Sequence, residues 1–308
     1  MTTEKTPTIG FVGLGAMGLG MARSLRRAGF PVQGFDLNAK ALADLAETGG
    51  TGCQSAAEAA TGADIFIVMV VNSDQAEAVL FGPGQAAQAL PKGSVVILGS
   101  TVKPEYARAT AQRLYDLGLE MLDSPVSGGA ARAATGELSM MISGHPQAFE
   151  KANSALEAMA ANVYRLGDEC GPGSTVKMIN QLLAGVHIAA AAEAMAFGVK
   201  AGVDPQTLYE VISNSAGASW MFQNRVPHMV AGDYTPLSAV EIFVKDLGIV
   251  LETGKAERFP LFLAAAAHQL FLAAAAAGFG REDDAAVVKV FEQLAGIQVA
   301  ANQQDKPG

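Results

Sequence analysis

Short apolar runs alternate with helical stretches over the first half of the chain. The apolar runs are predicted strands, at residues 8–13, 31–36, 64–71, 94–98, 120–122, 138–143 and 163–165. Helices are predicted between them at residues 16–29, 74–80 and 104–117, and Asn38 is predicted to cap the helix after the second strand. Such alternation predicts an α/β fold with a doubly wound, mostly parallel sheet.

The segment 64–71 is apolar at nearly every position instead of at alternate ones. A strand of this kind is typical of a parallel sheet that helices cover on both faces. We therefore expect this segment to be a central strand.

The pattern changes after about residue 167, where the rest of the chain has helical periodicity. Helices are predicted at residues 173–201, 205–214, 219–231, 238–257, 260–277 and 283–295, and the polar tail 302–308 is predicted to fray. The change predicts two domains, a nucleotide-binding domain at 1–166 and an all-helical domain at 167–308.

Composition narrows the class of protein. Of 308 residues 50% are hydrophobic and 17% are charged, which excludes a disordered chain. The net charge of −9 offers no basic footprint, so we expect no nucleic-acid partner. Two cysteines suit a reducing compartment, and residues 1–8 do not resemble a secretory signal. We expect a cytoplasmic protein.

A membrane span is the alternative for the apolar run 259–280, which is long enough to cross a bilayer. Much of this run is alanine, a weak hydrophobe and a strong helix former, and His268 and Gln269 interrupt it. We therefore expect a buried helix of a soluble protein and no membrane partner.

A glycine-rich loop joins the first strand to the first helix. Its sequence is Gly13, Leu14, Gly15, Ala16, Met17 and Gly18. In a dinucleotide-binding loop of this spacing the first glycine makes the turn, the second lets a pyrophosphate approach, and the third packs the helix on the strand. The N–H groups of the helix terminus then bind the phosphates.

Asp36 ends the second strand, where a carboxylate can accept hydrogen bonds from the adenosine ribose. It would repel a 2′-phosphate, so NAD is expected in preference to NADP. The alternative is a structural turn with Asp36 as a capping or surface residue.

Two further segments follow the carboxyl ends of strands, where doubly wound folds bind ligands. Val71 ends the predicted strand 64–71 and Asn72 follows it, and Ser100 and Thr101 follow the predicted strand 94–98. The hydroxyl groups of Ser100 and Thr101 fit a ribose or nicotinamide contact, or equally a cap for the next helix.

Candidates for proton transfer are few. Lys177 lies near the start of a long helix among apolar residues, with Asn180 and Gln181 on the same face. Burial and a helix N-terminus both disfavour a charged lysine, which suits a proton donor or acceptor. Lys245 is similarly embedded, and a structural lysine is the alternative at both positions.

Other catalytic chemistries are disfavoured. His187 and His268 lie in alanine-rich helices, where a hydrogen-bonded core histidine is the simpler interpretation. Clusters with metal-ligand spacing are lacking, so no metal is expected. Ser127 lacks the glycine two residues before it that a nucleophile elbow needs.

The chain resembles the β-hydroxyacid dehydrogenases, which include 3-hydroxyisobutyrate dehydrogenase and tartronate semialdehyde reductase. Four motifs carry the resemblance: Gly-Phe-Val-Gly-Leu-Gly-Ala-Met-Gly at 10–18, Asp-Ser-Pro-Val-Ser-Gly-Gly at 123–129, Gly-Ser-Thr-Val-Lys-Met-Ile-Asn at 173–180 and Lys-Asp-Leu-Gly at 245–248. It implies a Rossmann-type domain and an all-α domain, as in 6-phosphogluconate dehydrogenase, with NAD as cofactor and a homodimer or homotetramer as assembly.

The resemblance also implies residue roles. Lys177 would be the catalytic acid and base, and Asn180 would orient the substrate. Lys245 would lie on the cofactor side. The substrate carboxylate would be held by the loop residues Ser127, Gly128 and Gly129.

Within the family, the second half is most similar to the L-threonate dehydrogenase branch. The matching segments are 181–190, 219–225, 232–236 and 281–287. This implies oxidation of L-threonate to a 2-oxo-tetronate, with Trp220 and Phe222 near the substrate, although packing roles fit both aromatics equally. The alternatives are a 3-hydroxyisobutyrate or semialdehyde-type dehydrogenase, or a non-catalytic dinucleotide-binding module.

Overall fold

The computed structural model describes residues 6–300, so the predicted polar tail 302–308 lies outside the described residues. The chain forms two compact units, which divide between Lys177 and Met178, inside one continuous helix. Each unit has its own hydrophobic core.

The first unit contains the strands and the shorter helices. The strands are β1 (Ile9–Val12), β2 (Val32–Phe35), β3 (Thr51–Gly52), β4 (Ile65–Val68), β5 (Val95–Leu98), β6 (Glu120–Asp123), β7 (Val126–Ser127), β8 (Leu138–Gly144) and β9 (Ala160–Arg165). The helices are α1 (Gly18–Arg27), α2 (Ala39–Ala46), α3 (Ala56–Ala60), α4 (Ser73–Leu80), α5 (Ala86–Ala89), α6 (Pro104–Asp116), α7 (Gly129–Thr135) and α8 (Pro146–Met159).

These strands form one sheet in the order β3-β2-β1-β4-β5-β6-β8-β7, and β9 pairs with β8. The first six strands are parallel, whereas β8 runs antiparallel to β6 and β7. The run β3-β2-β1-β4-β5-β6 is the Rossmann strand order. The predicted doubly wound, mostly parallel sheet is confirmed.

Strand β4 shows why the centre of the sheet is apolar throughout. Ile65 and Ile67 pack into the core on one face of the sheet, together with Met21 of α1. Phe66 and Val68 alternate with them and pack into the core on the other face. Since successive side chains of a strand point to opposite faces, both sets must be apolar.

The second unit is helical. The helix α9 (Pro172–Lys200) enters it from the first unit, and α10 (Pro205–Ser213), α11 (Trp220–Ala231), α12 (Val240–Ala256), α13 (Phe262–Ala274) and α14 (Val288–Ala295) follow. Its core is rich in alanine and valine, and Phe243 stacks on Phe271 with ring centroids 5.1 Å apart. Small side chains let the helices approach closely.

Several local features differ from the sequence predictions. The predicted helix 260–277 ends as α-helix at Ala274 and continues as a π-helical turn at Ala275–Phe279, with Gly278 at a φ of 95°. The predicted helix 283–295 begins as a 3-10 turn, Asp284–Val287. The elements β3, α3, α5, β7 and α7 were not predicted, because runs of two to seven residues show no clear period. Helix α8 was also missed, although Pro146 occupies a helix-start position.

Two helices have the length and apolarity of a membrane span, α9 and the helix Phe262–Phe279. We predicted a buried helix for the second of these, but only 22% of its most apolar window is buried in the single chain. Core helices of soluble proteins pass the same test, so two such helices are only a weak indication of a membrane.

A buried ion pair joins two segments of the second unit that are far apart in sequence. Arg225 of α11 donates from Nε to Asp284 Oδ1 at 2.5 Å and from Nη2 to Asp284 Oδ2 at 3.1 Å. The neighbouring Asp283 accepts backbone N–H groups from Leu237 and Ala285. Burial raises the pKa of Asp284 to about 6, although Arg225 acts to lower it. The segments 219–225 and 281–287, which carried the branch resemblance, therefore meet in a structural contact.

We expect Arg225→Met to destabilise the protein by about 3–5 kcal/mol at pH 7, because it leaves a buried carboxylate without its cation. Without Arg225 the pKa of Asp284 rises further above its ordinary 3.8. The folded variant then takes up a proton near pH 5 that the unfolded chain does not, so its deficit should be smaller at pH 5 than at pH 7. Urea unfolding at both pH values measures this.

The matched control is Arg108→Met, which breaks the exposed pair with Glu105. It should change stability by less than about 1 kcal/mol at either pH. Equal effects of the two substitutions would contradict the structural importance of the buried pair.

Candidate active site

The glycine loop between β1 and α1 has two glycines that the fold itself requires. Gly13 has a φ of 93°, and a Cβ atom there would lie 2.2 Å from the carbonyl oxygen of Met69. A Cβ at Gly18 would lie 1.8 Å from the carbonyl oxygen of Gly13. Gly15 differs, since it is exposed and a Cβ there would have no described atom within 4 Å. Internal packing does not explain this glycine, whereas a close ligand would.

The other loop residues divide between core and surface. Leu14 is buried in the core, Ala16 is exposed and Met17 is half-buried. Met17 occupies the N-cap position of α1 and makes no side-chain capping bond. The start of α1 therefore fits an anion such as a phosphate, which N–H groups at a helix N-terminus bind readily.

Asp36 holds the glycine loop in place. Its Oδ2 accepts from the backbone N–H of Leu14 at 2.6 Å, and its Oδ1 accepts from that of Asn38 at 2.8 Å. Each carboxylate oxygen can accept more than one hydrogen bond, so these contacts leave capacity for ribose hydroxyls. The predicted capping role of Asn38 is confirmed, because its side chain accepts from the N–H of Lys40.

The residues after β4 and β5 have local roles in the structure. Asn72 caps α4 by accepting from the N–H of Gln75, whose side chain in turn accepts from the N–H of half-exposed Val71. Ser100 is buried and accepts from the N–H of Val70 at 3.0 Å. Lys103 is the N-cap residue of α6, so neither Ser100 nor half-buried Thr101 is its cap.

The predicted substrate loop joins β7 to α7. Ser127 is half-buried, and Gly128 and Gly129 have φ angles of 134° and 73°. L-residues rarely adopt either value, so the turn requires two consecutive glycines. Turns of this kind can direct successive backbone N–H groups toward one anion.

The start of α9 is tied to the sheet by a buried carboxylate. Asp123, at the end of β6, accepts from the N–H of Gly171 at 3.0 Å and from that of Ser174 at 2.8 Å. Its other oxygen accepts from the Ser174 hydroxyl at 2.6 Å. Burial raises the pKa of Asp123, and the hydrogen bonds from Ser174 and Gly171 oppose that rise.

Close packing adds to this anchor. The N–H of Gly173 donates to Ser143 Oγ at 3.0 Å, and a Cβ at Gly173 would lie 2.5 Å from the carbonyl oxygen of Asp123. Lys177 follows in the second turn of this anchored helix and is only 8% exposed. The anchored start of α9 therefore carries Lys177 at a buried position.

In the second unit, four polar side chains form a continuous row. Asn180 Nδ2 donates to Gln181 Oε1 at 3.0 Å, and Gln181 Nε2 donates to Asp246 Oδ2 at 2.6 Å. Lys245 Nζ lies 2.6 Å from Asp246 Oδ1. The row brings together Asn180 and Lys245, which the resemblance implied, with two residues that sequence reasoning did not assign.

The two aromatics of α11 have different environments. Trp220 is 55% exposed, so it is not packed in the core. Phe222 is buried and stacks against Tyr209 with centroids 6.2 Å apart. A packing role is therefore assigned to Phe222, whereas the exposure of Trp220 leaves its ring accessible.

Two family models cover most of the chain. The NAD binding domain of 6-phosphogluconate dehydrogenase matches residues 8–167, and the NAD-binding domain of NADP-dependent 3-hydroxyisobutyrate dehydrogenase matches residues 171–291. The chain belongs to the 3-hydroxyisobutyrate dehydrogenase-like family. It is an oxidoreductase that acts on the CH–OH group of a small hydroxy acid with a nicotinamide dinucleotide, NAD or NADP.

Individual relatives of this dehydrogenase match over nearly the full length. L-threonate dehydrogenase of Cupriavidus necator is 59% identical over 92% of this chain and 95% of that protein. L-threonate dehydrogenase of Escherichia coli K12 is 53% identical over 96% of this chain and 98% of that protein. A solved structure described as 3-hydroxyisobutyrate dehydrogenase from Salmonella typhimurium is 51% identical, has a TM-score of 0.88, and covers 92% of this chain and 99% of that one.

Sequence reasoning on this dehydrogenase did not predict the buried hydrogen bonds beside the candidate site residues. Asp123, Ser143 and Ser174 lie far apart in sequence, with Asp123 and Ser174 separated by 51 positions. Asp123 and Ser174 stand inside two of the quoted motifs, but their spacing gives no sign that they touch. Gln181 and Asp246, which are 65 positions apart, were missed for the same reason.

We expect Gly15→Ala to fold normally but to bind NAD at least about tenfold more weakly, since a methyl group in a close contact costs about 1–3 kcal/mol. Gly18→Ala is the matched comparison, and it should fail to fold because its Cβ would overlap the Gly13 carbonyl oxygen. Calorimetric titration with NAD and thermal melting measure the two effects. Unchanged NAD affinity in Gly15→Ala would show that no ligand approaches this position.

Proposed function

We propose that this dehydrogenase oxidises L-threonate to 2-oxo-tetronate with NAD. The full-length similarity to two proteins named L-threonate dehydrogenase is the observation that carries the substrate. The buried, anchored Lys177 supports the chemistry, because the non-catalytic alternative would not require a proton donor in this position.

The roles of the residues follow from their surroundings. The loop Ser127–Gly129 holds the substrate carboxylate through a hydroxyl group and backbone N–H groups. Neutral Lys177 takes the proton from the reacting hydroxyl, and protonated Lys177 returns it in the reverse direction. Lys177 is buried near the start of α9. Asn180, one turn further along α9, orients the substrate. Trp220 contributes its exposed ring to the substrate region.

NAD, when bound, supplies the acceptor for the hydride that leaves the substrate carbon. The residues that would hold it are Gly13, Leu14, Gly15, Ala16, Met17, Gly18, Asp36, Val71, Asn72, Thr101 and Lys245. The open space at Gly15 and the uncapped start of α1 fit a pyrophosphate. The carboxylate of Asp36 favours NAD over NADP, since a 2′-phosphate would meet a like charge.

The proposal also assigns a role to each domain and an oligomeric state to the protein. Residues 1–166 form the NAD-binding domain, and residues 167–308 form the substrate and dimerisation domain of a cytoplasmic homodimer or homotetramer. Exposed apolar side chains of the second unit support a self-association surface, since Phe262 of α13 is 82% exposed and Phe197 of α9 is 75% exposed.

The second candidate substrate is 3-hydroxyisobutyrate, because the similar Salmonella structure carries that name. The two acids differ in the number of hydroxyl groups. A panel of C3–C5 hydroxy acids, with reduction of NAD followed by absorbance, decides between them. A preference for 3-hydroxyisobutyrate over L-threonate would overturn the proposed substrate.

We expect Lys177→Ala to lower kcat for L-threonate by about 10²–10⁴-fold, the range typical of a lost general acid or base. NAD affinity should stay near that of the unchanged protein. Lys200→Ala, at the other end of the same helix, is the control and should keep full activity, since Lys200 is exposed and its ammonium group donates to the Ala295 carbonyl. Full activity of Lys177→Ala would refute the assigned role.

We expect Asp36→Ser to lower the ratio of kcat/KM for NAD to that for NADP by about fivefold or more, because a like-charge contact near 4 Å costs about 1 kcal/mol even in water. The ratio of the two kcat/KM values is measured because the substitution also removes the hydrogen bonds to Leu14 and Asn38, and that loss affects both cofactors alike. Asp44→Ser removes a carboxylate of α2 that pairs with Lys40, and it is the control. An unchanged ratio would show that Asp36 does not reach the ribose.

A further inference from the structure

The polar row of the second unit contains two residues without a role in the mechanism, Gln181 and Asp246. Both are buried, at 8% and 2% exposure. Gln181 lies beside Asn180 on α9, and Asp246 lies beside Lys245 on α12. A buried amide and a buried carboxylate in contact with two site residues call for a physical reason.

The carboxylate determines the direction of every hydrogen bond in the row. An ionised carboxyl group only accepts, so the atom of Gln181 at 2.6 Å from Asp246 must be its amide nitrogen. The Gln181 carbonyl oxygen then faces Asn180, which must donate from Nδ2. The opposite orientation of Gln181 would place two acceptors 2.6 Å apart.

One atom of Asn180 is left for a ligand. Its Nδ2 is engaged with Gln181, and its Oδ1 has no hydrogen-bond donor among residues 6–300. A carbonyl oxygen accepts from a hydroxyl group but repels a carboxylate. The orientation of Asn180 therefore determines which part of a hydroxy acid it can bind.

The two helices that carry this row pack closely against each other. A Cβ atom at Gly185 of α9 would lie 3.0 Å from side-chain atoms of Leu247 and Phe243 on α12. The backbones of α9 and α12 are thus close, and Lys245 compensates the charge of Asp246 at 2.6 Å. The direction of the hydrogen bonds is set by charge and held by packing.

We propose that Gln181 is a positioning residue, which Asp246 orients so that Asn180 presents its carbonyl oxygen to a substrate hydroxyl. The proposal rests on the proposed function, in which Asn180 orients the substrate. It extends that function, because it assigns selectivity for acids with several hydroxyl groups to the Gln181 amide. In this proposal Gln181 contacts Asn180 and need not touch the substrate.

The first test is a double-mutant cycle with Asn180→Ala and Gln181→Met. Gln181→Met alone should lower kcat/KM for L-threonate by about tenfold to a hundredfold, as for the loss of a hydrogen bond linked to a charged group. In the Asn180→Ala background it should cause almost no further loss, because the proposal assigns the effect of Gln181 on the substrate to its hydrogen bond with Asn180. Gln293→Met, at an exposed position of α14, is the control and should leave activity unchanged.

The second test exchanges the charge between the two helices. Gln181→Glu alone should lower kcat/KM, because two carboxylates then face each other. Adding Asp246→Asn should restore most of it, since the amide introduced on α12 can donate to the new carboxylate on α9, and Asn180 can still donate from Nδ2. Net charge and side-chain volume stay almost the same in the double variant, so it should also melt near the temperature of the unchanged protein.

Additive losses in the cycle, or no recovery in the exchanged pair, would overturn the proposal. If instead the proposed function is wrong, the unchanged protein does not oxidise L-threonate. In that case the cycle is measured with the hydroxy acid of the panel that reacts, and the same coupling is expected with any acid that carries a second hydroxyl group.

Discussion

The site depends above all on the buried carboxylate of Asp123. It accepts from the N–H of Gly171 just before α9 and from the N–H and hydroxyl groups of Ser174 in its first turn, so it joins the end of a sheet strand to the helix that carries Lys177. A negative charge at this end of a helix is favourable, because the N–H groups there have no partner within the helix. The compact first unit accordingly extends into α9 as far as Lys177.

The proposed anion-binding sites of this acidic dehydrogenase are local. The chain carries a net charge of −9, yet both the dinucleotide and the hydroxy acid are anions. The glycine loop, the start of α1 and the turn at Gly128 and Gly129 offer backbone N–H groups, which bind anions whatever the total charge. Backbone conformation in these loops matters more than the number of basic side chains.

Two segments that resemble the L-threonate branch have structural roles that the resemblance did not imply. Arg225 and Asp284 belong to segments far apart in sequence, and their buried bidentate pair packs α11 against the turn before α14. Phe222, in the same segment as Arg225, is buried in the core. Similarity within a branch thus includes core contacts, whereas Trp220 of the same segment is exposed.

The sequence by itself determined the order of the main elements along the chain: the apolar period, the glycine loop, the cap at Asn38 and the embedded Lys177 are all local patterns. Short elements such as β3 and α7 were missed, because a few residues carry no period. Only the tertiary structure decided which polar groups meet, as for Asp123 with Ser174 and Gln181 with Asp246. These pairs are separated by 51 and 65 positions, and a hydrogen bond between distant residues leaves no trace in local spacing.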